Sequence, residues 1–262
     1  MNRVGPKSEA ILSCRDLHKS FGGVAAVDGM TLDVAPGGIT GLIGPNGAGK
    51  STLFNIVSGV IAAQEGTVHL FGQDVTGLKP HKIARRGMIR TFQLSREMTR
   101  LTVLENLMLA PQNQAGEKLS AVFFSRPLVR RQEEENFARA KDVLETVNLT
   151  KVMDEYAGNL SGGQKKLLEL ARALMIDPRL ILLDEPAAGV NPALMGLLME
   201  TIETLNKEAG KTFLIVEHDM DLVARLCGHV VVMAEGRHLT EGTFDEVTRD
   251  ARVMEAYLGN VA

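Results

Sequence analysis

The chain has 262 residues, 45% hydrophobic and 23% charged, with a formal net charge of −3; this is globular usage with enough apolar material for a sizeable core. The slightly acidic balance argues against a surface built to attract nucleic acid or anionic lipid. Two cysteines without Cys-x-x-Cys or Cys/His spacing argue against a disulfide framework or zinc site, and no apolar run reaches the length of a secretory signal core or a bilayer span, so a soluble cytoplasmic protein is expected.

Along the chain, "AILSCRDL" (10–17), "MTLDVA" (30–35) and "GITGLIG" (38–44) are short apolar or alternating runs split by "FGG", "DG" and "APGG", the pattern of strands joined by turns. The third run leads into "GPNGAGKST" (44–52), and "KSTLFNIVSG" places Leu53, Ile56 and Val57 at helical spacing before Gly59. Gly44, Pro45, Asn46, Gly47, Ala48, Gly49, Lys50 and Ser51 match G-x-x-x-x-G-K-[ST] between a strand and a helix. Glycines there let successive backbone N–H groups turn inward around a phosphate, and the helix adds the positive end of its dipole. Lys50 can reach β/γ oxygens and the Ser51 hydroxyl can ligate magnesium. The alternative is a flexible turn without a ligand.

After a strand at "GTVHLFG" (66–72) and the run "GMIRTFQ" (87–93), the pattern becomes mainly helical from roughly Leu94 to Asn159. Thr102 and Glu105 have capping-box spacing, and residues 130–149 carry Phe137, Ala140, Leu144 and Val147 on one stripe, with Glu133 to Glu135 on a solvated face. Residues 112–131 show no usable period; "AVFF" (121–124) could be a packing foot, a partner contact or neither.

Ser161-Gly162-Gly163 precede an amphipathic helix with Leu167, Leu170, Ala171 and Leu174, offering a hydroxyl and free N–H groups to a second anion. As a plain helix cap, Ser161 would need one following glycine and no Gln164. "LILLDEP" (180–186) ends an apolar strand in Asp184, a carboxylate for magnesium, with Glu185 placed to polarise a water; such acidic residues can also merely solvate a loop. "TFLIVEH" (212–218) is a second apolar strand, in which His218, on the residues alone, is a strand-end histidine without a role. The tail "HVVVMAEGRHLTEG" (229–242) reads as a strand pair turning at Glu235-Gly236, followed by a helix opening at Thr243 with a capping box to Glu246.

These stretches together resemble the ATP-binding cassette (ABC) ATPase family over essentially the whole length, with its "LSGGQ" signature matched letter for letter at Leu160 to Gln164. The resemblance implies an α/β, P-loop NTPase fold of ABC-ATPase type: a mixed core sheet, an N-terminal antiparallel β-subdomain and an inserted helical subdomain. It implies one domain over 8–258, with a core of 8–93 and 166–262 and a helical signature subdomain of 94–165. It further implies ATP and Mg2+ as cofactors, held by residues 44–51 with Thr52 and by Ser161, Gly162, Gly163 and Gln164. Asp184, Ser51 and Gln93 are the implied metal contacts, and Glu185, His218, Lys50 and Gln93 the implied catalytic residues. Gln93 ends "RTFQ", where the family keeps a glutamine that touches magnesium and water and senses the transport partner; His218 falls where it keeps a histidine on the γ-phosphate. Phe21 in "KSFGG" matches the aromatic that stacks on adenine, where tyrosine is commoner, against a core or surface phenylalanine as the alternative. The sequence departs from the family at Asn191, where many relatives have aspartate, and at Lys165-Lys166, where Gln-Arg is usual.

Because the signature belongs to the helical insert and the Lys50 loop to the core, one cassette is expected to supply only half of each site. The resemblance implies a second ABC ATPase subunit, identical or paralogous, bound head to tail around two ATP molecules. It also implies membrane permease subunits, an indirect link to a substrate-binding protein, and a peripheral place on the cytoplasmic face of the cell membrane. No nucleic acid partner is expected. "FGGVAAVDGMTLDVAPGG", "RTFQ", "LTVLENL", "DEPAAGVNP", "VEHDM" and "AYLG" are most similar to the ATPases of branched-chain (hydrophobic) amino acid importers. Lipopolysaccharide-export and amide- or urea-type transporters share much of this wording. An ABC ATPase acting on ribosomes or DNA usually shows a second cassette or long coiled-coil arms, and a small-molecule kinase has no use for "LSGGQ".

Overall fold

The computed structural model describes residues 10–91, 98–112, 114–117 and 125–258, so Gln93 and the "AVFF" stretch lie outside the described residues. The chain passes through β1 (Leu12–Phe21), β2 (Val24–Val34), β3 (Ile39–Ile43), α1 (Lys50–Val57), β4 (Glu65–Leu70), β5 (Gln73–Asp74), α2 (Pro80–Ala84) and β6 (Met88–Thr91). Helices α3 (Val103–Met108), α4 (Arg126–Thr146) and α5 (Gly162–Leu174) follow. It continues with β7 (Leu180–Asp184), α6 (Pro192–Lys207), β8 (Thr212–Val216), α7 (Met220–Leu226), β9 (His229–Ala234), β10 (Arg237–Gly242), α8 (Phe244–Thr248) and α9 (Ala251–Leu258). Two compact units result: residues 1–90, 179–188 and 202–262 form one, and residues 91–178 and 189–201 the other. Helix α5 runs unbroken across position 165, where the sequence reading ended the helical insert.

The first unit holds two sheets. A four-stranded sheet of order β2-β1-β4-β5 is antiparallel, with Leu12 opposite both Val34 and Leu70. In β1 the alternation slips between Cys14 and Leu17, where Asp16 takes a left-handed φ of 49°. This bulge returns Leu17 to the buried face that Leu12 and Cys14 occupy and leaves Arg15 and Asp16 exposed. The six-stranded sheet runs β10-β9-β3-β8-β7-β6; β9, β3, β8 and β7 are mutually parallel and β10 is antiparallel. All five residues of β3, β7 and β8 are buried, as expected for parallel strands covered on both faces. The mixed sheet and the separate antiparallel sheet are those the resemblance implied.

The tail folds as read. Glu235 and Gly236 both have positive φ, 50° and 79°, the backbone of a two-residue type I′ hairpin between β9 and β10. This turn is tied to the glycine loop: the Gly236 N–H donates to the Ala48 carbonyl at 3.0 Å, and the Asp28 N–H donates to the Gly236 carbonyl at 2.8 Å. The Thr243–Glu246 capping box is present.

In the second unit Thr102 and Glu105 form the expected capping box of α3. Asn106, fully buried on that helix, has its amide donate to the carbonyls of Thr102 (2.9 Å) and Met98 (3.2 Å), while its oxygen accepts the Met98 N–H. On α4, Ala140 and Leu144 are buried and Val147 follows them into the core, but Phe137 is 39% exposed under the Lys141 ammonium at 4.7 Å. The apolar stripe is thus one position shorter than its spacing indicated. Glu133 to Glu135 are exposed; Arg130–Glu134 and Arg131–Glu135 form i,i+4 pairs. No helix among the described residues is long and apolar enough to cross a membrane.

Cys14 and Cys227 are free and buried, and burial pushes both thiols up from 9.0 to about 12. Reactivity follows the thiolate, so at about pH 8.5 the native chain should react with iodoacetamide at less than about a tenth of the rate of the urea-unfolded chain, measured by mass shift. Native thiols that hold protons more tightly than unfolded ones also lower stability as pH rises from 9 toward 12.

Candidate functional site

Strands β3, β8 and β7 are consecutive parallel neighbours, so their carboxyl ends open onto one sheet edge. With strands about 4.8 Å apart, the loops leaving these three ends start within about 10 Å of one another, the usual place for a ligand in an open α/β sheet. β3 runs into residues 44–49, β7 delivers Asp184 and Glu185, and β8 leads through Glu217 to His218.

Gly49 precedes α1 with φ 100°, and a side chain there would collide with the Ala26 carbonyl, so glycine is required. No side chain caps α1; its first-turn N–H groups therefore remain directed at whatever the loop encloses. Asn46 and Gly47 at the tip are exposed, as is Ser51, while Ala48 is buried. The Lys50 ammonium donates to the carbonyls of Gly44 (2.7 Å) and Pro45 (2.9 Å), which fixes it over the loop and leaves one of its three donors to reach a phosphate oxygen. Burial lowers the Lys50 pKa; the nearby Glu185 and Asp184 carboxylates oppose that shift.

Asp184, 6% exposed, receives the Arg90 guanidinium at 2.6 Å. Arg90 also donates to Asn55 Oδ1 (2.7 Å) and Ser58 Oγ (3.1 Å) and lies 5.6 Å over the Phe54 ring, tying α1 to the end of β7. The sequence reading missed Arg90, although it stands three residues before Gln93 in the quoted "RTFQ". A lone arginine inside an apolar strand was the available signal, since such a charge needs a partner. Glu185 is exposed and holds a left-handed φ of 49°, a strained backbone for a residue with a side chain. His218 lies two residues beyond the end of β8 rather than on the strand, and its side chain is 65% exposed. Phe21 ends β1 at 50% exposure with the Lys19 ammonium 5.5 Å from its ring, so it is not a core residue.

Ser161 to Gln164 lie in the second unit. The Gln164 side chain accepts the Ser161 N–H at 3.0 Å, and Ser161 Oγ accepts the Gln164 N–H at 3.4 Å. This capping box corrects the expectation that a plain cap had no use for the glutamine. Gly163 is needed for packing, because a side chain there would meet Leu194 Cδ1 at 2.5 Å. Asn191, at the departure from the family pattern, accepts the Leu194 N–H at 3.0 Å at the start of α6, a capping role for which asparagine serves as well as aspartate.

Residues 27–188 match the family described as ABC transporter, and residues 237–262 match the one described as branched-chain amino acid ATP-binding cassette transporter. The chain belongs to the ABC transporter ATPase family. It is 44% identical over 249 residues to the probable branched-chain amino acid transport ATP-binding protein LivG of Archaeoglobus fulgidus, covering 95% of each chain. It is 41% identical to the high-affinity branched-chain amino acid transport ATP-binding protein BraF of Pseudomonas aeruginosa, over 96% of this chain and 99% of that one. A nucleotide-free ATP-binding cassette of an ABC transporter superposes with TM-score 0.82 at 38% identity, over 95% of this chain and 98% of the other. A post-hydrolysis dimeric cassette bound to ADP and Pi superposes at 0.72 with 25% identity, over 89% and 98%. The protein is therefore an ATP-binding, ATP-hydrolysing transporter subunit.

The Arg90–Asp184 pair is the buried ion pair at the carboxyl end of β7. Replacing Arg90 by Met removes the guanidinium from a buried carboxylate and should lower unfolding free energy by about 3–5 kcal/mol in urea titrations. Adding Asp184→Asn should recover part of that loss, as a double-mutant cycle reports.

Proposed function

We propose that this ATPase powers uptake of branched-chain and other hydrophobic amino acids through membrane permeases, acting from the cytoplasmic face of the membrane. The observation that carries the hydrolytic reading is the shared edge of β3, β8 and β7, which gathers Lys50, Asp184, Glu185 and His218. The cargo reading rests on the near-complete coverage of the branched-chain transport relatives and on the tail match at 237–262.

In this reading the exposed Phe21 ring stacks on adenine, and its lack of a hydroxyl does not weaken stacking. The N–H groups of residues 44–52 and the Lys50 ammonium hold the β- and γ-phosphates. Ser51 and Asp184 offer the oxygen donors that suit Mg2+, with Gln93 as a further contact; the ion, when bound, neutralises phosphate charge. Glu185, exposed beside this edge, takes the proton of the attacking water, and His218 stabilises charge on the γ-phosphate. Ser161 to Gln164 of a second cassette, a copy or a relative, complete the site by presenting a helix N-terminus to the same phosphate. The post-hydrolysis dimer of a related cassette supports this arrangement. Permeases and a substrate-binding protein then set the cargo.

Glu185→Gln should reduce ATP turnover by about a hundredfold or more while ATP still binds, since it removes the base and little else. The same variant should form ATP-dependent pairs in size-exclusion chromatography. Turnover close to that of the unaltered protein, or no pairing with ATP, would sink the proposal.

A further inference from the structure

Glu217 is fully buried, yet no step of the proposed mechanism uses it. It follows the last residue of β8, and its carboxylate accepts backbone N–H groups in two directions, with the His218 imidazole Nδ1 3.7 Å from Oε2. Oε1 accepts the N–H of Ala187 at 2.7 Å, and Oε2 accepts those of His218 (2.9 Å) and Asp219 (3.2 Å). The first contact crosses from the β8 loop to the β7 loop; the other two hold the β8 loop to itself. Asp219 in turn caps α7 by accepting the N–H groups of Asp221 and Leu222.

The β7 loop is where support is needed. Glu185 has a left-handed φ of 49°, and the turn that follows is closed by the Ala188 N–H on the Glu185 carbonyl at 3.1 Å. Left-handed backbone is unfavourable for a residue bearing a Cβ and persists only when its surroundings hold it. Ala187 lies inside that turn, so the Glu217 contact fixes the segment whose geometry aims Glu185. One carboxylate therefore spans both loops.

We propose that Glu217 is a positioning residue that fixes Glu185 and His218 relative to each other for hydrolysis while leaving nucleotide binding to the glycine loop. The inference rests on the catalytic reading of Glu185. Its chemistry is specific: both oxygens accept from N–H donors, so a glutamine of the same shape must turn its NH2 toward one of them and lose that arm. Because the loops are coupled, loss of either arm frees one reacting group from the other.

Glu217→Gln and Glu185→Gln are to be compared in parallel, with ATP stoichiometry measured on each preparation and backbone exchange followed by mass spectrometry. The expected result for Glu217→Gln is a kcat at least about tenfold lower, with KM for ATP within about threefold and stoichiometric binding retained. Peptides containing Ala187 and His218 should exchange faster while the 44–52 loop is unchanged. Unaltered kcat in Glu217→Gln, with turnover lost in Glu185→Gln, overturns the positioning role. A fall in ATP stoichiometry or affinity in step with kcat overturns it too, since Glu217 would then only support the fold. Full turnover in Glu185→Gln instead defeats the catalytic reading beneath it.

Discussion

Carboxylates at the ends of two adjacent, dry strands are what the rest of this molecule has to accommodate. Asp184 and Glu217 close β7 and follow β8 at 6% and 0% exposure, and carboxyl oxygens buried there need hydrogen-bond donors. The chain answers in two ways. Asp184 receives a guanidinium from β6 that is itself anchored to α1, so a charge balances a charge. Glu217 receives backbone N–H groups, which carry no net charge and instead fix loop geometry. The first solution keeps the glycine loop's helix in register with the carboxylate that ends β7, and the second keeps two loops in register with each other.

The frame of this arrangement was legible in the sequence because it is encoded locally. The strand, glycine loop and helix around Lys50 lie within a short contiguous stretch, "LILL" and the core of "TFLIVEH" are unbroken apolar runs, and the turn at Glu235-Gly236 carries a glycine, which adopts positive φ readily. The two caps opening at Thr102 and Thr243 follow from spacing alone. Arg90 and Glu217 were not legible. The contacts that define their roles span whole elements, 94 positions for Arg90 to Asp184 and 30 for Glu217 to Ala187, and no period or motif expresses such a pairing. Phe137 was misread for a related reason: helical spacing says which residues share a stripe, not how far the neighbouring core extends along it.

In the signature segment the atoms proposed to face a phosphate also cap a helix. Gln164 closes a cap on the Ser161 N–H at 3.0 Å, a sound hydrogen bond, whereas Ser161 Oγ accepts at 3.4 Å, beyond the usual N–H···O range. The glutamine half fixes the start of α5, and the Ser161 hydroxyl, an acceptor in this cap, keeps its own O–H as a donor. Residues that look dedicated to a ligand are here also the reason the helix begins where it does.

The bonds joining Gly236 to Ala48 and Asp28 link the C-terminal tail to the glycine loop. The segment matched to branched-chain transporters starts at residue 237, immediately beyond a turn that buttresses the nucleotide loop from outside. The strand that opens the tail is thus joined, through one turn, to the backbone of the glycine loop. A change that reshaped this hairpin would therefore be felt at residue 48 of the glycine loop, far away in sequence but one hydrogen bond away in space.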